Sequence, residues 1–219
     1  MSTRRIVWLV VALLAGGCAS DRSGTPALPG SPTPIAPRQI VVLGDSLAVS
    51  PSSAQGFPAR LQVRIDSAAL PFRVINAGVF GDTSGDGLRR IDPLLTVDVA
   101  VLVLELGAND GLQGVPTSTI ETNLGSMIAS AQRRNIRVLL CGMETLPSHG
   151  FDYALAFHSV FPALAQRFSI TLVPFILNGV VFDPALNGAD GVHPNAAGAE
   201  RIAETVWPYL RPLLTAPLG

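Results

Sequence analysis

The sequence predicts a three-layer α/β/α domain on a mostly parallel five-stranded sheet, and two patterns carry that prediction. Short β-branched runs alternate, across residues 38–219, with longer segments whose apolar residues recur at helical spacing. The third such run, Val99 to Leu104, is apolar at every position, as a strand covered on both faces must be. Alternation of this kind places helices on both faces of a parallel sheet. About 180 residues suffice for one domain with a full core. No internal repeat is visible.

The elements follow in order. Strand one is expected at residues 40–43, ended by Gly44, and a helix at residues 57–70 with Leu61, Ile65, Ala68 and Ala69 on one side. Strand two is read at residues 72–75 and strand three at residues 99–104. Residues 117–135 form a helix through Ile120, Leu124, Met127, Ile128 and Ala131. Strand four is residues 138–141, a helix covers residues 153–168, and strand five is residues 170–173. The closing helix is read at residues 196–210, with Pro194 near its first turn.

Upstream of the domain the composition changes twice. Residues 1–17 carry Arg4 and Arg5, then an unbroken apolar run from Ile6 to Ala15. That run is too short for a membrane-spanning helix and suits the core of a signal peptide. It ends in Leu14-Ala15-Gly16-Gly17-Cys18, small residues before a cysteine, which resembles the lipobox of bacterial lipoproteins. The resemblance implies that Cys18 is lipidated; Ala15 stands where that motif prefers leucine, and an ordinary signal peptide is the alternative. Residues 18–37 are rich in Ser, Thr, Gly and Pro, with Pro26, Pro29, Pro32, Pro34 and Pro37 closely spaced. Such a segment reads as an extended linker between membrane and domain.

Composition excludes several function classes. All 15 basic residues are arginine. With no lysine, Schiff-base chemistry and a lysine base are ruled out. Beyond residue 17, thirteen arginines face sixteen acids, a net charge of −3 with no basic cluster, which argues against nucleic acid as a partner. The acids form no metal-ligand cluster with histidine, no glycine-rich phosphate loop follows strand one, and no cofactor is implied. Cys141, at the end of strand four, reads as a small core residue.

The chemistry lies at the strand ends. Ser46 follows strand one in Gly44-Asp45-Ser46-Leu47. After strand two comes Asn76-Ala77-Gly78-Val79-Phe80-Gly81-Asp82-Thr83-Ser84. After strand three comes Glu105-Leu106-Gly107-Ala108-Asn109-Asp110-Gly111, and Asp190-Gly191-Val192-His193-Pro194 precedes the last helix. Open α/β sheets bind ligands at the carboxyl edge of the strands. Serine, histidine and acid brought to that edge are what nucleophilic acyl transfer needs.

These four segments, in this order, resemble the four signature blocks of the SGNH (GDSL) hydrolases, closest to the branch of arylesterases and multifunctional thioesterase/protease/lysophospholipase enzymes. The resemblance covers residues 38–214 and extends to Arg89-Arg90 and to Val173-Pro174-Phe175. It implies a flavodoxin-like five-stranded parallel sheet and a serine esterase working through an acyl-enzyme. Ser46 would be the nucleophile, His193 the general base, and Asp190 the acid that orients its ring. The Ser46 and Gly81 backbone N–H groups and the Asn109 amide would hold the oxyanion. Asp45 and Asp110 read as loop hydrogen-bonders, and His158 as a surface or core residue of its helix.

Leu112, Val115, Leu146, Pro147, Phe182 and Pro184 give the site an apolar rim, which favours an acyl or aryl group, and His149 is a further candidate for the pocket lining. After Leu47 the sequence departs from the family with Ala48-Val49-Ser50, and β-branched Val49 is expected to reshape the loop if that loop needs a left-handed residue. The expected substrate is a small acyl ester, thioester or lipid ester. A carbohydrate O-acetylesterase and a non-catalytic acyl-binding lipoprotein remain the alternatives. The expected location is the periplasmic face of a bacterial membrane, through the Cys18 anchor, or else the soluble periplasm or exterior.

Overall fold

The computed structural model describes residues 37–216. The expectations for residues 1–36, Cys18 among them, lie outside the described residues. Five strands, β1 (Arg38–Gly44), β2 (Phe72–Gly78), β3 (Val99–Glu105), β4 (Arg137–Cys141) and β5 (Thr171–Val173), form one sheet in the order β2-β1-β3-β4-β5. Every pairing is parallel. This is an α/β domain on the five-stranded parallel sheet that the sequence predicts.

Among the described residues, seven α-helices join and cover the strands: α1 (Ser46–Val49), α2 (Phe57–Ser67), α3 (Ser84–Arg90), α4 (Ala108–Gln113), α5 (Thr117–Gln132), α6 (Phe151–Phe168) and α7 (Ala196–Thr215). Helices α2 and α7 pack together on one face; α3, α5 and α6 pack side by side on the other. Strand β3 is buried at all seven positions, whereas edge strand β2 is only half-buried. Both follow from their places in the sheet. The core between the layers includes Phe57, Leu61, Leu102, Leu104, Phe157 and Phe161, each under 2 % exposed.

The long elements fall where the apolar spacing puts them, and their ends move for local reasons. Helix α2 stops at Ser67 because Ala69 turns left-handed (φ 51°) and Leu70 N–H reaches back to Ile65. Helix α5 stops at Gln132 in the same way, with Asn135 left-handed (φ 56°) and Ile136 N–H reaching back to Ala131. Helix α7 runs on past Pro208 and Pro212 to Thr215, because Leu210 and Leu214 continue its buried face. The short helices α1, α3 and α4 escape the sequence, since four to seven residues show no apolar period.

Helix α1 and the end of β1 correct local expectations. Residues 46–49 form a right-handed turn, so Val49 meets no left-handed backbone. Ala48 is buried against Gly44 and Gly78, which leave it room. Gly44 lies within the strand as its last residue, one position beyond the expected end. A Cβ there would collide with the Glu105 carboxyl, so close packing requires the glycine.

Chain order reverses direction across the sheet at β1 and β3: β2 lies to one side of β1, and β3, β4 and β5 to the other. Loops leaving such a switch point part above the carboxyl edge and open a crevice. Ser46 and Asn109 leave that edge directly.

Candidate active site

The segment after β1 supplies the serine. Asp45 caps α1, its Oδ1 accepting the Leu47 N–H at 2.9 Å, and this places Ser46 at the first position of the turn. Ser46 is 8 % exposed. Its hydroxyl faces His193, with Ser46 Oγ and His193 Nε2 3.0 Å apart. The other ring nitrogen, Nδ1, lies 2.7 Å from Asp190 Oδ2. A ring that donates Nδ1–H to the carboxylate leaves Nε2 free to accept the serine proton.

Asp190 holds both ends of the histidine. Its second oxygen accepts the backbone N–H of Val192 at 2.9 Å and of His193 at 3.0 Å. The histidine ring first, then these two backbone donors, hold the Asp190 carboxyl well below the usual carboxylate range. The loop is closed at its base by Gly188 N–H to His193 O (2.8 Å) and Asn195 N–H to Leu186 O (2.9 Å). Asn195 then caps α7 through the Ala197 and Gly198 N–H groups. Phe80 stands beside the imidazole, ring centroids 5.7 Å apart.

Gly81 sits in a turn closed by Asp82 N–H to Val79 O (3.2 Å), with φ +79°, a conformation that favours glycine. Neither the Gly81 nor the Ser46 N–H has an acceptor among the described residues. Both are available to a ligand. Asn109 lies in the first turn of α4, and its amide is already engaged: Nδ2 donates to Asp82 O at 2.9 Å and Asp45 Oδ2 at 3.1 Å. An incoming oxyanion would therefore compete with the Asp45 carboxylate for that amide.

Two buried acids lie under the serine. Asp45 is fully buried, and burial pushes its carboxyl up to about 6 against the opposing pull of the Leu47 N–H and His193. Glu105, at the end of β3, is also fully buried. Its Oε2 accepts the Asp45 N–H at 3.3 Å and its Oε1 has no partner among the described residues. Burial first, and the Asp45 charge second, raise Glu105 well above the ordinary carboxylate range and favour its protonated form. Cys141 is a buried free thiol beside it, pushed up by the same burial. Asp110 takes the Ser84 N–H and hydroxyl at 2.7 and 2.6 Å and ties the loop after β2 to α4.

The serine and histidine open on a cleft of about 280 Å³. Of the candidate lining residues, Leu112, Leu146 and Phe182 stand in its wall, 60 %, 54 % and 74 % exposed. Val115, Pro147, His149 and Pro184 do not. The Val115 carbonyl accepts from the Tyr153 hydroxyl, Pro147 opens a 3-10 turn, and the His149 ring bonds the Leu112 carbonyl at 3.0 Å while packing on Tyr153. The sequence reading missed Leu177, Val181 and Val192, which share the wall, and Glu144, whose carboxylate lies 2.7 Å from His158 Nδ1. No local spacing marks these residues. A wider hollow of about 610 Å³, lined by Arg38, Asn135, Ser169 and Thr171 among others, lies at the opposite edge of the sheet and holds no histidine or carboxylate.

Residues 42–201 match the model of the GDSL-like lipase/acylhydrolase family. The chain belongs to that family. It is 41 % identical over 182 residues to the esterase TesA of Pseudomonas aeruginosa, covering 82 % of this chain and 90 % of that protein. The arylesterase of Vibrio mimicus is 35 % identical over 174 residues, 78 % of this chain and 87 % of the relative. Thioesterase 1/protease 1/lysophospholipase L1 of Escherichia coli is 34 % identical over 178 residues, 80 % of this chain and 84 % of the relative. Among solved structures, a crystal structure of TesA superposes with a TM-score of 0.76 at 40 % identity, covering 81 % of this chain and all of the other. An esterase of the SGNH-hydrolase family, AlinE4, superposes with a TM-score of 0.66 at 35 % identity.

Proposed function

We propose that this SGNH domain hydrolyses carboxylic esters and thioesters through an acyl-enzyme on Ser46. The observation that carries this reading is the run Ser46 Oγ, His193 Nε2, His193 Nδ1, Asp190 Oδ2, with gaps of 3.0 and 2.7 Å at the mouth of an apolar cleft. In the reading, His193 takes the Ser46 proton as Oγ attacks the acyl carbon, and Asp190 stabilises the imidazolium. The oxyanion meets the Ser46 and Gly81 N–H groups, and the Asn109 amide turns to it from Asp45. His193 then protonates the leaving oxygen or sulfur; water enters, gives its proton to the same nitrogen, and releases the acid.

The wall residues Leu112, Leu146 and Phe182 favour an acyl or aryl group over a sugar. The names of the relatives point the same way. The test is hydrolysis of p-nitrophenyl esters from acetyl to palmitoyl by the purified protein, with an acylated sugar alongside. Turnover that persists beyond acetyl supports the reading. Cleavage of acetyl esters and sugar acetates alone would make it a carbohydrate O-acetylesterase, and no turnover at all would make it an acyl-binding protein.

The envelope placement rests on residues 1–18. Lipidation at Cys18 would tether the domain beside lipid esters; Cys18→Ala should then move the protein from the membrane to the soluble fraction. An unlipidated, already soluble wild-type protein by mass spectrometry would contradict it.

A further inference from the structure

We propose that Arg90 is the positioning residue of this site, a clamp that sets the distance between the nucleophile turn and the oxyanion-binding loop. The inference rests on the hydrolase reading and adds a residue to it. Arg90 closes helix α3, and its guanidinium reaches back to three separate segments. Its Nε donates to Asp82 Oδ2 at 2.6 Å, Nη1 to Ala77 O at 2.7 Å and Nη2 to Gly44 O at 3.0 Å. Gly44 is two residues before Ser46, Asp82 directly follows Gly81, and Ala77 is in the last turn of pleat of β2.

The placement matters because the sheet ends there. The β1–β2 ladder stops at Gly44 and Gly78. Beyond it, the two loops share one backbone bond, Val79 N–H to Gly44 O at 3.1 Å. The Arg90 fork adds a side-chain link on the same carbonyl. Through Asp82 it reaches the third donor too, since the Asp82 carbonyl accepts the Asn109 amide. One planar group therefore bears on the segments of all three proposed oxyanion donors. The Arg90 and Asp82 side chains are only 26 % and 12 % exposed, so the ion pair is poorly screened by solvent. Lysine offers a point charge without the fork and cannot satisfy three acceptors in one plane.

A structural brace and a positioning clamp predict different kinetics. Displacing a catalytic group by about 1 Å costs on the order of 10²-fold in rate while substrate binding survives. Arg90→Ala, assayed with p-nitrophenyl esters and normalised by active-site titration, should lose about 10²-fold in kcat with KM little changed. Millimolar guanidinium should restore part of that kcat, and methylammonium should not. Arg90→Lys should fall between wild type and Arg90→Ala and be insensitive to guanidinium. If Arg90→Ala does not fold, Arg90→Lys and Asp82→Asn carry the test through the same split of kcat against KM. Variants with wild-type kcat per titrated site, or with raised KM alone, would overturn the clamp while leaving the hydrolase reading intact. A wild-type protein that hydrolyses no ester would overturn both.

Discussion

The serine and the histidine that face each other at 3.0 Å come from two very different surroundings. Ser46 stands in a buried lattice of side-chain bonds. Asp45 and Glu105 are fully buried beneath it, Asp110 is 1 % exposed, and Arg90 ties its strand to the next loop. His193 sits on a loop whose residues 188–192 are all exposed, with the Asp190 side chain 52 % exposed. Apart from the His193 contacts to Ser46 and Phe80, that loop is ordered by its own short-range bonds and by the cap of α7. The contrast teaches that precision on the nucleophile side is built from long-range tertiary contacts, and on the base side from one local turn. Damage to the first should reach stability as well as rate; damage to the second should reach rate alone.

The largest effect should fall on both sides equally. Ser46→Ala and His193→Ala should each lower kcat by roughly 10⁴-fold or more, with the double variant little worse, because the two act in one step. Asp190→Ala should cost less, and it should leave Tm almost unmoved because its carboxylate is solvent-exposed. Steady-state kinetics with thermal melts check this. Additive losses from Ser46 and His193, or a cooperative unfolding defect in Asp190→Ala, would break the comparison.

Asn109 comes next. Replacement by alanine should cut kcat by about 10²–10³-fold with KM changed far less, as for loss of one oxyanion donor. It also removes the bonds to Asp45 and Asp82, so Tm should fall, unlike in Asp190→Ala. Asn109→Asp puts a charge beside the buried Asp45 and should be at least as damaging. A raised KM with near-normal kcat would move Asn109 to substrate binding.

How much of this was legible in the sequence follows the same division. The strand runs and the long helices announce themselves by period, and Asp190 and His193 are a local pair three residues apart. The supports of Ser46 are not local. Glu105 meets Asp45 60 positions away, and Arg90 meets Gly44 46 positions away. Glu105 leaves one sign, an acid closing an otherwise apolar strand, and the strand reading stopped one residue short of it. Gly44 read as the residue that ends strand one because spacing cannot show a carboxyl packed over its Cα. Val115, Pro147 and His149 share the wall's neighbourhood in sequence, but the turn at Gly114 and the 3-10 turn direct them elsewhere.

The smallest effect sharpens the buried side. Folding raises the Glu105 carboxyl above its unfolded value, so the folded state holds that proton more tightly. That stabilisation is complete below the unfolded value and is lost as pH rises toward the folded one. Melts across a pH series should show wild-type Tm declining as pH rises above the ordinary carboxylate range, and Glu105→Gln, neutral throughout, should decline less. The kcat of Glu105→Gln at neutral pH should change little, because glutamine still accepts the Asp45 N–H. Identical slopes would show that Glu105 is not the group titrating.

The central claim is that His193 activates Ser46 and no other residue. The most direct measurement is covalent labelling with an alkyl fluorophosphonate, whose phosphorus captures an activated serine in tetrahedral form, followed by mass spectrometry of the tryptic peptides. One adduct is expected, on Ser46 within residues 39–60, absent in Ser46→Ala and formed far more slowly in His193→Ala. An adduct on any other residue, or labelling of Ser46 at an unchanged rate in His193→Ala, would contradict the account.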